Sequence, residues 1–262
     1  MPDLRIFSYL PNPRLFKTTI AARFSGAQIE IVGDTPPELV NWLWDFDARK
    51  LSDSDKASLA QIARQGSVGF ANVPLYKSDA FLAAHPFGNV PAGFSGDGSV
   101  GFFESNSIMR AAARAGHDGG SLLGTDPLTQ SRVDSFLDRS LVFARDLQHY
   151  LLAGDAMSVD MHARMAQELS TFASGLDRAL DQSRYLVGDQ VTLADIGCVC
   201  DLCQLTYEKG HKDRFAALEL DFLVPSLALH KNLGAYLARL ASDERFSGDL
   251  ERYFKTLLPV FA

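Results

Sequence analysis

Phe102-Phe103-Glu104-Ser105-Asn106-Ser107-Ile108 is the stretch on which the reading of this chain turns. An apolar strand that ends in Glu-Ser and passes at once into a helix, expected from Asn106 to Ala115, brings three recognition elements together. They are a carboxylate for a ligand ammonium, a hydroxyl, and the backbone N–H groups of a helix N-terminus, which lack intrahelical partners and attract an anion. A small zwitterion of the amino-acid kind needs that set. The competing reading is structural: Ser105 caps the helix and Glu104 is solvated.

Upstream lies Asn89-Val90-Pro91-Ala92. Its proline has no N–H to give a ladder, so it belongs where a strand starts or a loop bends, and tight-turn prolines are where cis bonds occur. A cis Val90–Pro91 bond would turn the N–H and C=O of Val90 sideways, toward an extended peptide ligand. Further back, Leu4 to Tyr9 reads as a first strand. Asn12-Pro13-Arg14, followed by Leu15, Phe16, Thr19, Ile20 and Phe24, reads as an amphipathic helix with asparagine at N-cap and proline at N1. Gly26 ends it, and Gln28 to Val32 form a second strand, a right-handed βαβ opening. With a hairpin through Gly96-Asp97-Gly98 and the helix after Ser105, the order is thioredoxin-like. The segment 34–77 does not fit that order. It holds Trp42 and Trp44 and an expected helix from about Asp53 to Gln65, opened by Ser52 with Asp55 three residues on. We read it as an insertion whose apolar face packs beside the site, the alternative being a surface excursion unrelated to chemistry.

Beyond Gly119-Gly120-Ser121 the pattern changes to uninterrupted helical periodicity, which puts a domain boundary between 118 and 126. Long helices are expected from Pro127 to about Leu152 and from Met161 to Gln182. Thr192 and Asp195 form a capping box, with Val191 and Ile196 placed as a hydrophobic staple, a folding device rather than a catalytic one. The expected fold class is therefore α/β plus all-α: residues 1–118 form a thioredoxin-like domain with an insertion at about 34–77, and residues 126–262 form an all-helical bundle.

The 262 residues suffice for two domains with real cores. A net charge of -7 with interspersed signs leaves no basic stripe, which argues against nucleic acid and anionic membrane as partners. No apolar leader and no eighteen-residue apolar run is present, so a cytoplasmic location is expected. Cys198, Cys200 and Cys203 fit reduced core thiols better than disulfides or a metal site. The six histidines, His85, His117, His149, His162, His211 and His230, show no ligand spacing. There is no G-x-S-x-G, P-loop or dinucleotide fingerprint, so neither a metal nor a nucleotide cofactor is implied.

Val90-Pro91, the short hairpin and Phe103-Glu104-Ser105-Asn106 together resemble the glutathione-binding half of a glutathione transferase. The resemblance implies that the residue before the cis-proline, Val90, pairs with the cysteinyl part of glutathione, and that Glu104 and Ser105 hold its γ-glutamyl end. Asn89 and Pro91 belong to the same implied binding set. Tyr185-Leu186-Val187-Gly188-Asp189 before the capping box is similar to that family's helical domain, where such a box opens the central buried helix. The stretches 7–17, 20–28 and 103–108 look most like the transferase-like domain of the gamma subunit of translation elongation factor 1. That resemblance runs from Leu4 to about Phe254 except for the 34–77 insertion. The subunit would continue into a further domain where this sequence stops, which favours a free-standing enzyme over a role in translation. An Ala- and Arg-rich composition with few lysines has a bacterial flavour, and bacterial transferases of this build include β-etherases that cleave lignin-derived aryl ethers.

Glutathione as co-substrate must be ionised at sulfur. A free thiol has a pKa of about 8.5, and removing roughly two units requires about 2.7 kcal/mol. One hydrogen bond to the charged sulfur, roughly 1.5–3 kcal/mol, plus a helix N-terminus, about 0.3–1, is of that size. The family's activating residue is commonly Tyr, Ser or Cys near the end of the first strand. No Cys stands there, which leaves Asn12 as first candidate, Tyr9 second and Ser8 third; the face that Ser8 takes depends on strand register. Asn12 also has a purely structural reading as a helix cap, and Arg14 is either a carboxylate ligand or a solvated charge. Phe136, Arg139, Ser140 and Phe143, at three- and four-residue steps on the first long helix of the second domain, are the candidate wall for an apolar electrophile, or else plain core. The expected activity is attack of the glutathione thiolate on an activated, aromatic carbon. The alternative is a non-catalytic interaction module. The resemblance also implies a homodimer, or a heterodimer with a related subunit.

Overall fold

The computed structural model describes residues 1–66, 70 and 73–262, which divide into two units, Met1–Gly119 and Gly120–Ala262. In the first unit the order is β1 (Leu4–Tyr9), α1 (Pro13–Ser25), β2 (Ile29–Asp34), β3 (Trp42–Trp44), β4 (Arg49–Lys50), α2 (Asp53–Ser58), β5 (Ala63–Gln65), β6 (Pro74–Lys77), α3 (Asp79–Ala84), β7 (Ala92–Ser95), β8 (Gly101–Phe102) and α4 (Ser105–Ala115). One sheet has the strand order β2-β1-β7-β8, with β1 and β2 parallel and the other pairs antiparallel. That is the thioredoxin-like arrangement.

Alternation along β1 sorts its side chains between two cores. Ile6 packs with Leu15 of α1 and Ile108 of α4. Phe7, on the opposite face, packs with Leu39, Trp44, Leu75, Phe81, Ala92 and Phe94. The sheet is therefore apolar on both faces, the helices α1 and α4 covering one and the segment 34–77 with α3 covering the other. α1 starts where expected: Asn12 caps it by accepting from the Arg14 N–H at 3.0 Å, Pro13 stands at N1, and Gly26 closes it at φ +79°.

The segment 34–77 makes a second sheet, β4-β3-β6-β5. Its core residue Trp44 is buried, and its indole N–H donates to the Leu39 carbonyl at 3.1 Å. The capping box at Ser52 and Asp55 forms, but the helix it opens ends at Ser58 instead of running to Gln65. No residue of α2 is buried, so nothing rewards its extension, whereas Ala63–Gln65 gain ladder partners in β6. Residues 67–69, 71 and 72 of the expected insertion lie outside the described residues.

The second unit contains α5 (Gly120–Leu123), α6 (Pro127–Leu151), α7 (Val159–Leu180), α8 (Leu193–Cys203), α9 (Lys212–Ala217), α10 (Lys231–Ala241) and α11 (Glu244–Leu257), with short 3-10 turns between. Every residue of α8 is buried, the three cysteines among them, none of which is in a disulfide. Its first turn is held by the Thr192–Asp195 capping box. The buried Asp195 carboxylate also accepts from the Leu186 N–H at 2.9 Å and the Tyr236 hydroxyl at 3.0 Å. Among the described residues no helix is long and apolar enough to cross a membrane.

Candidate functional site

The strand register brings three separated pieces of sequence to one end of the first sheet. Phe7 pairs with Ala92 and Gly93 with Phe102, so the end of β1, the residues before β7 and those after β8 converge. Tyr9, Val90 and Glu104 are the residues thus gathered. The Val90–Pro91 bond is cis, as is Leu10–Pro11. Asn89 is exposed, Val90 half-buried and Pro91 buried.

At the β8–α4 junction the competing reading, a cap by Ser105, gives way to another arrangement. Glu104 itself occupies the N-cap position, at φ 65° and ψ 125°, and Ser105 is the first helical residue. The Glu104 carbonyl accepts from the N–H groups of Ser107 and Ile108 at 2.9 and 3.0 Å, while its side chain makes no capping bond. The carboxylate is exposed and stands at the positive end of the α4 dipole. A non-glycine residue held at positive φ costs about 1–3 kcal/mol, and such strain is found where surrounding structure over-determines a functional side chain. The first turn is braced from beneath. Lys17 of α1, 1% exposed, donates from Nζ to Asn106 Oδ1 at 2.8 Å. Sequence reading missed this brace. Its only signal was a lysine inside the buried row Leu15, Thr18, Ile20 and Ala21.

The three thiol-activation candidates separate by face. Ser8 shares the helix-covered face with Ile6 and is wholly buried, its hydroxyl donating to the Tyr9 carbonyl at 3.1 Å. Asn12 is also wholly buried, and its amide donates to Ser8 Oγ at 3.1 Å while its oxygen caps α1. The expected donation from Asn12 to a ligand sulfur is therefore corrected: burial shuts the amide off from a ligand, and it serves as cap and brace. Tyr9 lies on the Phe7 face and is only half-buried against the cluster that includes Trp44, which Val90 also contacts.

Of the four residues expected to line an electrophile site on α6, two face inward. Ser140 donates to the buried Asp201 carboxylate, and Phe143 stacks on Phe172 with ring centroids 4.1 Å apart. Both are fully buried in the helical unit, which corrects their assignment to an open wall. Phe136 is half-buried with the Arg132 guanidinium over its ring, and Arg139 pairs with Glu168 at 2.5 Å.

Another residue near the site went unrecognised. His85, at the C-cap of α3, is fully buried between Phe81 and Phe94, and neither ring nitrogen has a well-formed hydrogen bond among the described residues. Burial pushes its pKa down to about 4, and the weak pull of the Gly93 backbone does not offset it.

No protein-family model matches the chain. It is similar to elongation factor 1-gamma of Artemia salina, 30% identical over 205 residues covering 77% of this chain and 38% of that protein. It is also similar to glutathione S-transferase F9 of Arabidopsis thaliana, 29% identical over 158 residues covering 55% of this chain and 72% of that one. The chain spans about two fifths of the length of the elongation factor relatives it matches. A theta class glutathione S-transferase from Xanthomonas axonopodis pv. citri, solved with glutathione bound, superposes with a TM-score of 0.55 at 20% identity, over 95% of this chain and 97% of that one. That likeness shows the fold, which is the glutathione transferase fold. The curated relatives it matches are named as elongation factor 1-gamma and as glutathione S-transferase.

Proposed function

We propose that the chain binds glutathione and transfers its glutathionyl group, through sulfur, to a hydrophobic, aromatic electrophile. The observation that carries this is the junction at Glu104: an exposed carboxylate on a positive-φ residue at a helix N-terminus, at the same sheet end as the cis Val90–Pro91 bond. Glu104 would take the γ-glutamyl ammonium, Ser105 and the α4 N-terminus the adjoining carboxylate, and the Val90 backbone the cysteinyl amide, with Asn89 and Pro91 shaping the edge. The Xanthomonas relative of this fold carries glutathione, which supports the ligand.

In the reaction the glutathione thiolate supplies the electron pair of a new C–S bond, and the leaving group departs with the pair of the broken bond. For an aryl ether the departing group is an aryloxide, protonated from solvent. Lignin-derived β-aryl ethers are the substrates we put forward first. With Ser8 and Asn12 buried, the phenol of Tyr9 becomes the leading candidate to donate to the sulfur. A donor of that kind, at roughly 1.5–3 kcal/mol, accounts for most of the two-unit pKa shift needed. Phe136 and Arg139 remain the candidates on α6 for the electrophile side. A dimer, with itself or a related subunit, and a cytoplasmic location complete the proposal.

A second reading, a non-catalytic transferase-like module, is favoured by the burial of Ser8 and Asn12 and by the elongation factor relatives. Calorimetry with glutathione followed by turnover assays against aryl halides and aryl ethers separates the two. Binding with turnover that collapses in Tyr9→Phe supports the enzyme; binding with no turnover supports the module; no binding at millimolar glutathione sinks both.

A further inference from the structure

Lys77, the last residue of β6, is 7% exposed, yet its ammonium has no carboxylate partner among the described residues. Its Nζ donates to the carbonyl of Gly88 at 2.7 Å and lies 4.9 Å from the centre of the Trp44 ring, the residue it pairs with across the inserted sheet. Burial lowers its pKa. A methionine would fill similar space without desolvating a charge, so the contribution of the ammonium lies in what it holds.

What it holds is one peptide of the loop that carries Val90. The Gly88 N–H donates to the His85 carbonyl at 2.8 Å, so both polar groups of Gly88 are fixed, one by its own turn and one by Lys77. Gly88 has φ +58°, and a Cβ there would stand 3.2 Å from Lys77 Nζ and 3.2 Å from Leu82 Cδ2. The next residues are Asn89, Val90 and Pro91. We propose that Lys77 is a positioning residue through which the inserted sheet sets the placement of the Val90 backbone for its ligand. The inference rests on the glutathione reading of the site.

The test uses the full chain, calorimetry with glutathione and with its glycyl ethyl ester, and thermal melts. Lys77→Met should weaken glutathione binding about tenfold, the size expected when roughly one loop residue must be ordered on binding. The ester should lose the same factor, the melting midpoint should hold, and Lys77→Arg should recover part of the affinity. If Lys77→Met does not fold, Gly88→Ala disturbs the same contact from the loop side and should show a comparable loss for both ligands. Wild-type affinity in both variants would overturn the inference. So would an ester that binds the wild type tenfold more weakly than glutathione and loses nothing further in Lys77→Met, because Lys77 would then contact the ligand carboxylate itself. Absence of glutathione binding by the wild type would remove the functional reading and this inference with it, whereas unchanged binding in the variants removes this inference alone.

Discussion

At Glu104 the backbone takes φ 65° and ψ 125°, a region in which glycine is unstrained and other residues are not. Two substitutions isolate that strain from the carboxylate. Both Glu104→Ala and Glu104→Gly remove the charge and should weaken glutathione binding by roughly ten- to a hundredfold, the range of one charge-assisted contact. They differ only in backbone tolerance, so the glycine variant should be about 1 kcal/mol more stable than the alanine variant in urea unfolding; equal stabilities would mean that the fold does not resist the φ. The Glu-Ser junction was legible in sequence as a candidate site because an acid, a hydroxyl and a helix start were adjacent. The cap assignment was not, since a positive φ at a glutamate is imposed by its neighbours and has no local signature. Asn12 makes the same point in reverse. Its pattern with Pro13 announced a helix cap, and the cap is there, but whether its amide also reached a ligand depended on the position of Ser8 across four residues of chain.

At the scale of elements, α8 shows the most complete agreement between pattern and structure. The Thr192–Asp195 box is local, and local chemistry survives transfer from sequence to fold. What the pattern could not reveal is that Leu186 and Tyr236 also donate to Asp195 inside the core. Asp195→Ala should therefore cost about 3–5 kcal/mol, more than the ~1 kcal/mol of an exposed cap, because buried donors are left unpaired. A loss near 1 kcal/mol in chemical unfolding would reduce the network to a simple cap. The end of α3 supplies a pH effect. His85 has a folded pKa of about 4 against about 6.5 unfolded, so between these values the unfolded chain holds the extra proton. Its contribution to stability is present above about pH 6.5 and is lost as pH falls toward 4, up to about 3 kcal/mol. His85→Leu should flatten the wild-type slope over that window. An unchanged slope would show that the ring finds a partner for its charge. The buried Asp195 and Glu208 carboxylates, whose pKa values burial raises, titrate in the opposite sense, so the difference between wild type and variant is the quantity to read.

At the scale of the whole molecule, ligand and stability are linked. A ligand bound only by the folded chain adds RT ln(1 + [L]/Kd), about 2.7 kcal/mol at a hundredfold excess over Kd. The melting midpoint of the wild type should climb with glutathione concentration, and that of Glu104→Ala should stay flat up to concentrations ten- to a hundredfold higher. Parallel curves for the two proteins would detach Glu104 from the ligand.

The sequence by itself determined the thioredoxin-like order and the change to helices after residue 119. These follow from period, caps and turn residues, which act over a few positions. The tertiary structure alone decided which way Ser8 and Tyr9 face, that Ser140 and Phe143 close into the core of the helical unit, and that segment 34–77 is a second sheet whose Lys77 reaches the loop before Val90. Each of those outcomes depends on the register of one strand against another or on a side chain meeting a partner far away in sequence. Propensity fixes neither, because the same residues satisfy their local preferences on either face.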